Sequence, residues 1–358
     1  MKKIIMALLS LLILVGCTNR DEIVSAPSSS EETTMNSLDN TYYKLYNAGS
    51  SEIRESYYSN HNSTKDFENI GRDLQLLSSQ YFSTSNYYMS EGQYIGREER
   101  LELLKRSPAH SLQPAAGSVI EGVKEPIMVS NIYEQDYWIK EGNKYILKGL
   151  AVSIVIDPTD KNDNPLTNPM SDSIIKEYGK SVIEKFYKFI NESDFESIQK
   201  IKNIPMLITV YQGTDGTKSI LDGKYIFKCY CDNSLGQIVY LNYKNVMFLS
   251  AAAQKIDETT YVEFNQIKKS LKNAATEAAG LVGSAKYIDG TIQSMVIEAN
   301  LNIKTITELQ YLTSLLADKI ESQFTYDFDI QVLVYSQDGL KAVIIKDKGK
   351  SAKSSIFY

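Results

Sequence analysis

The residue of this chain best suited to covalent chemistry is Cys17. It directly follows Gly16 and closes an apolar run, residues 4–15, that begins after Lys2 and Lys3. A positive start, a short apolar run and a small residue before the cleavage point are the parts of a secretory signal. A thiol in this position is a nucleophile that can take up a lipid. The pattern therefore predicts signal cleavage between Gly16 and Cys17 and lipid attachment at Cys17.

The apolar run is too short to cross a membrane as a helix, which needs about 20 residues. Several acyl chains on one cysteine hold a protein firmly, since each buried methylene contributes roughly 0.8 kcal/mol. We therefore expect a bacterial lipoprotein, bound to membrane lipid through Cys17 on the extracytoplasmic face. In this interpretation residues 1–16 are the signal peptide. Residues 17–40 are rich in Ser, Thr, Glu and Asp and form a flexible tether.

Composition limits the partners of the folded part. The chain has 358 residues and a formal net charge of −6, so it has no general attraction for nucleic acid.

Cys229 and Cys231 alternate on a strand-like run and share one face. Such a pair lacks the other ligands of a zinc site, and a disulfide would be strained because same-face neighbours lie about 7 Å apart. We interpret both as small buried side chains.

Residues that usually carry catalysis are sparse. The two histidines, His61 and His110, stand in polar contexts, without metal-ligand or triad spacing. Gly213 and Gly216 are too close for a phosphate loop, which needs four residues between its glycines. The acidic run after Asp157 lacks the glycine and the final acid of an EF-hand. We therefore expect no metal site, no cofactor and no enzymatic activity.

An internal similarity is the main clue to architecture. Residues 148–157 resemble 289–298, residues 182–186 resemble 316–320, and residues 208–211 resemble 332–335. Each unit reads as strand, helix, strand, turn and strand, and both helices show the helical period. This predicts an α+β fold of two tandem strand-helix-strand-strand repeats, with a mostly antiparallel sheet and helices packed on one face. We place the domains at residues 41–235 and 236–358, with a natural position for a groove at their junction.

Further elements follow from local signals. Apolar spacing predicts a helix over residues 63–81 and a short helix after Gly96. Thr305 and Glu308 form a capping box at the start of the second repeat's helix. Residues 107–126 contain three prolines and two glycines and predict a long loop.

Two short motifs carry a resemblance to a known family. Glu-Gly-Gln-Tyr ends the stretch 87–94, and Glu-Gln-Asp-Tyr occupies residues 134–137. Together with residues 149–156, 204–210 and 289–324, they resemble the CamS family of Firmicute lipoproteins, which are sex pheromone precursors. The resemblance runs from about Tyr42 to the C-terminus. It implies a Gram-positive lipoprotein whose cleaved signal peptide can be trimmed to a short apolar conjugation pheromone.

The candidate pheromone peptide directly precedes the lipidated cysteine. Its residues are Leu9, Ser10, Leu11, Leu12, Ile13, Leu14, Val15 and Gly16. Such a peptide is uncharged and apolar, so it could cross cell envelopes and fill an apolar receptor pocket. Every signal peptide has an apolar core, so the alternative interpretation is an ordinary signal peptide that is degraded after cleavage.

Three hypotheses remain for the mature part. The first, which we favour, is a non-catalytic binding module for a cell-wall or extracellular ligand. Its candidate stacking residues are Tyr94, Tyr133, Tyr137 and Trp138, although aromatic residues at these positions could equally be core. The second is a cell-wall hydrolase, which would show clustered carboxylates in a cleft. The third is an envelope assembly factor, which would show an extended apolar face.

Overall fold

The computed structural model describes residues 43–52, 64–106, 110–213, 223–249, 251–274, 280–337 and 339–357, without the side chains of residues 64–66. The predicted signal peptide, Cys17 and the tether lie outside the described residues, as do His61, Gly216 and Asp338. Within the described ranges, no helix is both long enough and apolar enough to cross a membrane.

The described chain is a mixed α+β structure with mostly antiparallel sheets. Its helices are α1 Thr64–Ser78, α2 Arg97–Leu104, α3 Asp172–Glu192, α4 Glu196–Ile201, α5 Ala251–Ile256, α6 Glu258–Ala274 and α7 Ile306–Gln323. Its strands are β1 Lys44–Leu45, β2 Tyr88–Glu91, β3 Val119–Ile120, β4 Val123–Lys124, β5 Ile127–Glu141, β6 Lys144–Thr159, β7 Met206–Gln212, β8 Lys224–Cys231, β9 Val239–Tyr240, β10 Tyr243–Met247, β11 Gly280–Ile288, β12 Thr291–Asn300, β13 Asp329–Ser336, β14 Gly339–Lys346 and β15 Lys353–Ile356.

The first sheet has the order β1-β2-β5-β6-β7-β8-β9. A long hairpin, β5–β6, forms its centre, and α3 connects β6 to the parallel strand β7. The expectation that helices pack on one face is wrong for this sheet, because α3 covers one face and α1 the other. Strand β6 shows the physical reason. Val152 and Ile154 pack in the core under α3, whereas Ala151 and Val155 pack under α1, so apolar residues are needed on both faces.

The second sheet has the order β10-β11-β12-β13-β14-β15. Here α7 connects β12 to the parallel strand β13, and α6 and α7 pack in one core on one face. Along β13, Val332 and Val334 are buried under the helices, whereas Gln331 is exposed and Leu333 is half-buried. Among the described residues this sheet therefore has α6 and α7 on one face, and along β13 its other face is partly open to solvent.

The two parallel crossovers share a connection order but not a register. Ser153 on β6 pairs with Thr209 on β7, whereas Ser294 on β12 pairs with Asp329 on β13. The sequence similarity between the two units aligns Thr209 with Leu333, so an equal register would have paired Ser294 with Leu333 instead. The strands that look alike in sequence are therefore displaced along the second sheet.

A buried ion pair joins the two sheets. Asp73 on α1 lies 2.8 Å from the Lys286 ammonium on β11 and accepts a 2.7 Å hydrogen bond from the Tyr243 hydroxyl on β10. Tyr243 also belongs to the core under α1. The helix on the extra face of the first sheet therefore also contacts the second sheet.

The predicted cap at the start of α7 is present in the structure. The Thr305 hydroxyl accepts from the Glu308 amide at 3.1 Å, which confirms the first half of the predicted capping box. The Glu308 carboxylate accepts from the Lys304 amide at 2.9 Å. The loop predicted over residues 107–126 contains a short hairpin of β3 and β4.

Candidate functional site

The fold brings the two short motifs together. Strand β2 pairs antiparallel with β5, which places Glu91 opposite Gln135 and Ser90 opposite Asp136. Beside this pair, α1 leaves a cleft of about 510 Å³, which we call the motif cleft. The cleft is lined by Ser51, Phe67, Glu68, Gly71, Arg72, Gln75, Met89, Ser90, Glu91, Gly92, Tyr133, Glu134 and Gln135.

Gly92 allows the chain to turn tightly against β5. Its amide donates to the Glu134 carbonyl at 3.2 Å. A Cβ atom at this position would lie 2.4 to 2.6 Å from the side-chain carbons of Glu134, which is closer than real atoms approach. Glycine is therefore required where the Glu-Gly-Gln-Tyr motif crosses β5.

Two buried carboxyl groups hold the segment that follows. The Glu134 carboxylate accepts from the Ile95 amide at 2.8 Å and from the Tyr94 amide at 3.3 Å. The Asp136 carboxylate accepts from the Gln93 amide at 3.0 Å. These bonds satisfy three backbone donors in a row, so the second motif fixes the shape of the first.

Burial changes the protonation of this pair. Removal from water raises the pKa of Asp136 well above its usual value, and the neighbouring charge of Glu134 raises it further. Burial also raises the pKa of Glu134, although the Ile95 amide opposes that change. Two carboxyl groups this close cannot both ionise easily, so the pair retains a proton to higher pH than an exposed pair would.

The opposite wall of the cleft is α1. The Gln135 amide group donates to the Gly71 carbonyl at 2.9 Å and accepts from the Tyr137 hydroxyl at 3.0 Å. A Cβ atom on Gly71 would lie 2.9 Å from the Tyr133 hydroxyl oxygen. A glycine in this helix therefore lets the Tyr133 ring lie close beneath it, half-buried in the cleft wall.

The mouth of the cleft is polar. Arg72 has half of its side chain exposed, and its guanidinium donates to the Asn69 and Asp73 side chains at 2.6 and 3.2 Å. Glu68 is exposed and Gln75 is half-buried. Together these groups offer both donors and acceptors to a ligand, with an aromatic ring below them.

Comparison with known proteins identifies the family to which this site belongs. Residues 48–352 match the family model described as CamS sex pheromone cAM373 precursor. The chain belongs to the CamS family. No curated protein matches it significantly in sequence.

Two solved structures share the fold. One is a sex pheromone precursor from Lactobacillus salivarius subsp. salivarius, with a TM-score of 0.77 and 20% identity over 92% of this chain and 99% of that one. The other is the C-terminal domain of the sex pheromone staph-cAM373 precursor from Staphylococcus aureus, with a TM-score of 0.69 and 20% identity over 84% of this chain and 99% of that one. At this identity they show the CamS fold and nothing about a ligand.

The candidate stacking residues lie mostly in the core of this CamS protein. Tyr94, Tyr137 and Trp138 are 8%, 0% and 1% exposed. The Trp138 indole donates to the Ser90 hydroxyl at 2.9 Å. The expectation that Tyr137 and Trp138 form an exposed stacking platform is therefore corrected, because β5 is covered on both faces. Tyr133 is the aromatic candidate that reaches the motif cleft.

Sequence reasoning missed the contribution of α1 to the site. Gly71, Arg72 and Gln75 were not candidates, although Gly71 interrupts the strongest amphipathic helix of the N-terminal half. A glycine inside such a helix signals close approach of another group. The described residues contain no group of three or more His, Cys, Asp or Glu side chains placed to hold a metal ion. The predicted sites at Gly16, Cys17 and residues 9–15 lie outside the described chain.

Proposed function

We propose that this CamS protein is a lipoprotein on the extracytoplasmic face of a Gram-positive membrane, and that its folded part binds a small polar ligand in the motif cleft without catalysing a reaction. The observation that carries the proposal is the convergence of both family-like motifs on one cleft. Function usually resides where rigid elements hold polar groups around a concavity. The closely packed Gly92 and the backbone bonds of Glu134 make this concavity rigid.

The lining favours a neutral, hydroxyl-rich ligand. Arg72 supplies one cation, whereas Glu68 and Glu91 supply acceptors and Gln75 supplies both kinds of hydrogen-bonding group. A strongly anionic ligand would meet these acids, and an apolar ligand would leave their hydrogen bonds unmade. Ring faces of sugars suit an aromatic surface such as Tyr133. A soluble cell-wall saccharide meets all of these conditions.

Titration with soluble cell-wall saccharides tests this part of the proposal. Isothermal calorimetry on the full protein in detergent should show saturable binding. Gln75→Ala should weaken binding about five-fold, since a lost neutral hydrogen bond costs roughly 1 kcal/mol. Gln237→Ala, in an exposed loop away from the cleft, is the matched control. Absence of saturable binding, or equal affinity in both variants, would overturn the cleft as the site.

The buried acids support binding rather than hydrolysis. The oxygens of Glu134 and Asp136 accept hydrogen bonds from the amides of Tyr94, Ile95 and Gln93. A catalytic acid must instead reach the bond that it protonates. We therefore assign the pair to holding the cleft wall. Hydrolysis of wall saccharides by the purified protein, lost in Glu134→Gln, would favour the hydrolase hypothesis.

The membrane anchor is proposed at Cys17, with cleavage after Gly16. Support comes from the arrangement of the N-terminal residues and from membership of the CamS family. Cys17→Ser should leave the precursor unlipidated and reduce its recovery in the membrane fraction. Normal acylation of this variant, measured by palmitate labelling, would contradict the anchor.

The pheromone is proposed to derive from residues 9–16. Support comes from the matching family model, whose description names a pheromone precursor. Targeted mass spectrometry of spent medium should detect a peptide ending at Gly16, and a synthetic copy should raise conjugation frequency in a recipient assay. Absence of both effects would leave the mature domain as the functional product.

The tandem duplication is proposed for the two sheets, with domains divided near residue 235. Support comes from the shared order of hairpin, helix and parallel strand in β5–β8 and β11–β14. The test is whether a fragment of residues 236–358 folds on its own, with its unfolding monitored by far-UV circular dichroism. A fragment without cooperative unfolding would contradict a separate second domain.

A further inference from the structure

Two thiols lie side by side at the end of β8, away from the motif cleft. The sulfur atoms of Cys229 and Cys231 are 3.7 Å apart. Both residues are free cysteines and both are buried, in the core under α3. The rotamers of these neighbours therefore point their sulfurs toward each other, although alternate residues of a strand stand about 7 Å apart at the backbone.

This spacing suits a shared metal better than a disulfide. A disulfide needs its Cβ atoms within about 4.5 Å, and consecutive same-face residues of a strand cannot meet that without distortion. Tyr230, between the cysteines, is held in register opposite Leu207. By contrast, a trigonal sulfur–metal–sulfur unit with bonds of about 2.3 Å places its sulfurs about 4 Å apart. The two sulfur atoms already lie close to that separation.

We propose that Cys229 and Cys231 chelate a soft d10 metal ion, with Cu(I) as the biological case. Thiolates select soft ions. Zinc requires four ligands, and the described residues offer no group of three metal-binding side chains anywhere. Cu(I) accepts two or three soft ligands, so the pair and one small exogenous ligand complete its shell. Binding releases two thiol protons to solvent and changes no oxidation state.

The covering segment provides an entry path. Residues 232–238 connect β8 to β9, and residues 232–235 of this segment are exposed. The Cys229 sulfur lies 3.4 Å from the Gly236 carbonyl oxygen. A Cβ atom on Gly236 would lie 1.9 Å from the Tyr230 carbonyl oxygen, so glycine lets this segment lie directly over the strand. Displacement of this segment would open a path to the Cys229 sulfur.

Anaerobic titration of the full chain with Cu(I) tests the site. The protein carries Cys17→Ser and is purified in detergent, so that residues 229 and 231 hold its only thiols. Competition against a chromophoric Cu(I) chelator should show one ion per chain, and X-ray absorption should show sulfur ligands. Cys229→Ala and Cys231→Ala should each weaken binding by more than about a hundred-fold, since even outer-shell changes cost up to that factor.

Controls separate this proposal from its competitors. Equal Cu(I) binding by the double alanine variant would mean an adventitious ion only and would overturn the site. A mass about 2 Da lower with no reactive thiols after unfolding would identify a disulfide and overturn chelation. Selectivity for Cu(I) over Zn²⁺ in the chain with both thiols supports the site even if an alanine variant fails to fold. If the thiols react with a reagent only after unfolding and the protein takes up no Cu(I), both cysteines are core residues and the proposal is overturned.

Discussion

The two sheets of this CamS protein share a connection order but differ in what covers them. The first sheet carries α3 on one face and α1 on the other, whereas the second carries α6 and α7 together on one face. The motif cleft lies where α1 meets the first sheet. The difference suggests that the parallel crossover supplies the stable frame and that the extra helix supplies the site. On the second sheet the equivalent face is partly open to solvent along β13, although α1 contacts it at Lys286.

The sharpest test of this comparison uses one leucine on each sheet, both on the face opposite the crossover helix. Leu207 on β7 is fully buried under α1, whereas Leu333 on β13 is half-buried at the open face. Leu207→Ala should lower the free energy of unfolding by about 3 kcal/mol, and Leu333→Ala by less than about 1 kcal/mol. Urea denaturation measures both, and equal losses would mean that the second sheet is also covered in solution.

A glycine pair tests the tight contact within the cleft. Gly92→Ala should cost about 2 kcal/mol, because the new methyl group overlaps the Glu134 side chain and forces the segment off β5. Gly280→Ala, on β11 of the second sheet, places its Cβ atom 3.7 Å from Asn300 and should cost much less. Thermal unfolding and saccharide titration should both register the first change. Unaltered saccharide affinity in Gly92→Ala would separate the motif from the binding role.

The joint between the sheets gives a smaller expected effect. Lys286→Met removes the ammonium beside Asp73 and should cost about 1.5 kcal/mol, less than a fully buried pair because Arg72 still contacts the carboxylate. The loss should separate the unfolding of the two sheets in calorimetry. Lys200→Met removes a pair on the exposed surface and should leave the unfolding profile unchanged. A single unchanged transition in Lys286→Met would show that apolar packing alone joins the sheets.

The last expected effect concerns pH and is tested at Asp136 in the first sheet. Burial raises the pKa of Asp136 above its usual value of 3.8, so the folded chain binds more protons than the unfolded chain between those two pKa values. The free energy of unfolding therefore falls at this site as pH rises from about 4 through the raised pKa. Asp136→Asn cannot ionise and lacks this slope.

Unfolding of both proteins in urea across that pH range measures the difference. The advantage of the asparagine variant should grow with pH, since its amide oxygen can still accept from the Gln93 amide. A constant difference would mean that Asp136 titrates at the same pH in the folded and unfolded chains.

Local sequence signals predicted most of the frame. The apolar period of α1, α3 and α7 and the cap at Thr305 need only neighbouring residues, and each appears in the structure. Helix α6 was missed although Phe264, Ile267 and Leu271 follow the helical period and are buried. The comparison of the two repeats did not reveal it, because no segment of the first repeat was found to resemble it.

The site was less predictable for a physical reason. On a sheet covered on both faces, residues of both alternating sets are buried along the central strands, so alternation no longer separates core from surface. Tyr137 and Trp138 therefore could not be distinguished from binding residues, and Tyr133 differs from them only through the glycine above it in α1. The pairing of β2 with β5 joins segments far apart in sequence. The two motifs could therefore be identified from the sequence, but their contact in the fold could not.

The short strand β1 has a mechanical consequence. Lys44 and Leu45 lie parallel to β2, and the hydroxyl of the buried Tyr43 donates to the Phe82 carbonyl. Because β1 pairs with β2, whose last residue Glu91 begins the Glu-Gly-Gln-Tyr motif, tension on the chain before Tyr43 is carried by β1 to the wall of the motif cleft. With the anchor proposed at Cys17, a force on the cell surface would act on that cleft. The pairing of the two residues of β1 with β2 would then influence how long a ligand stays bound under force.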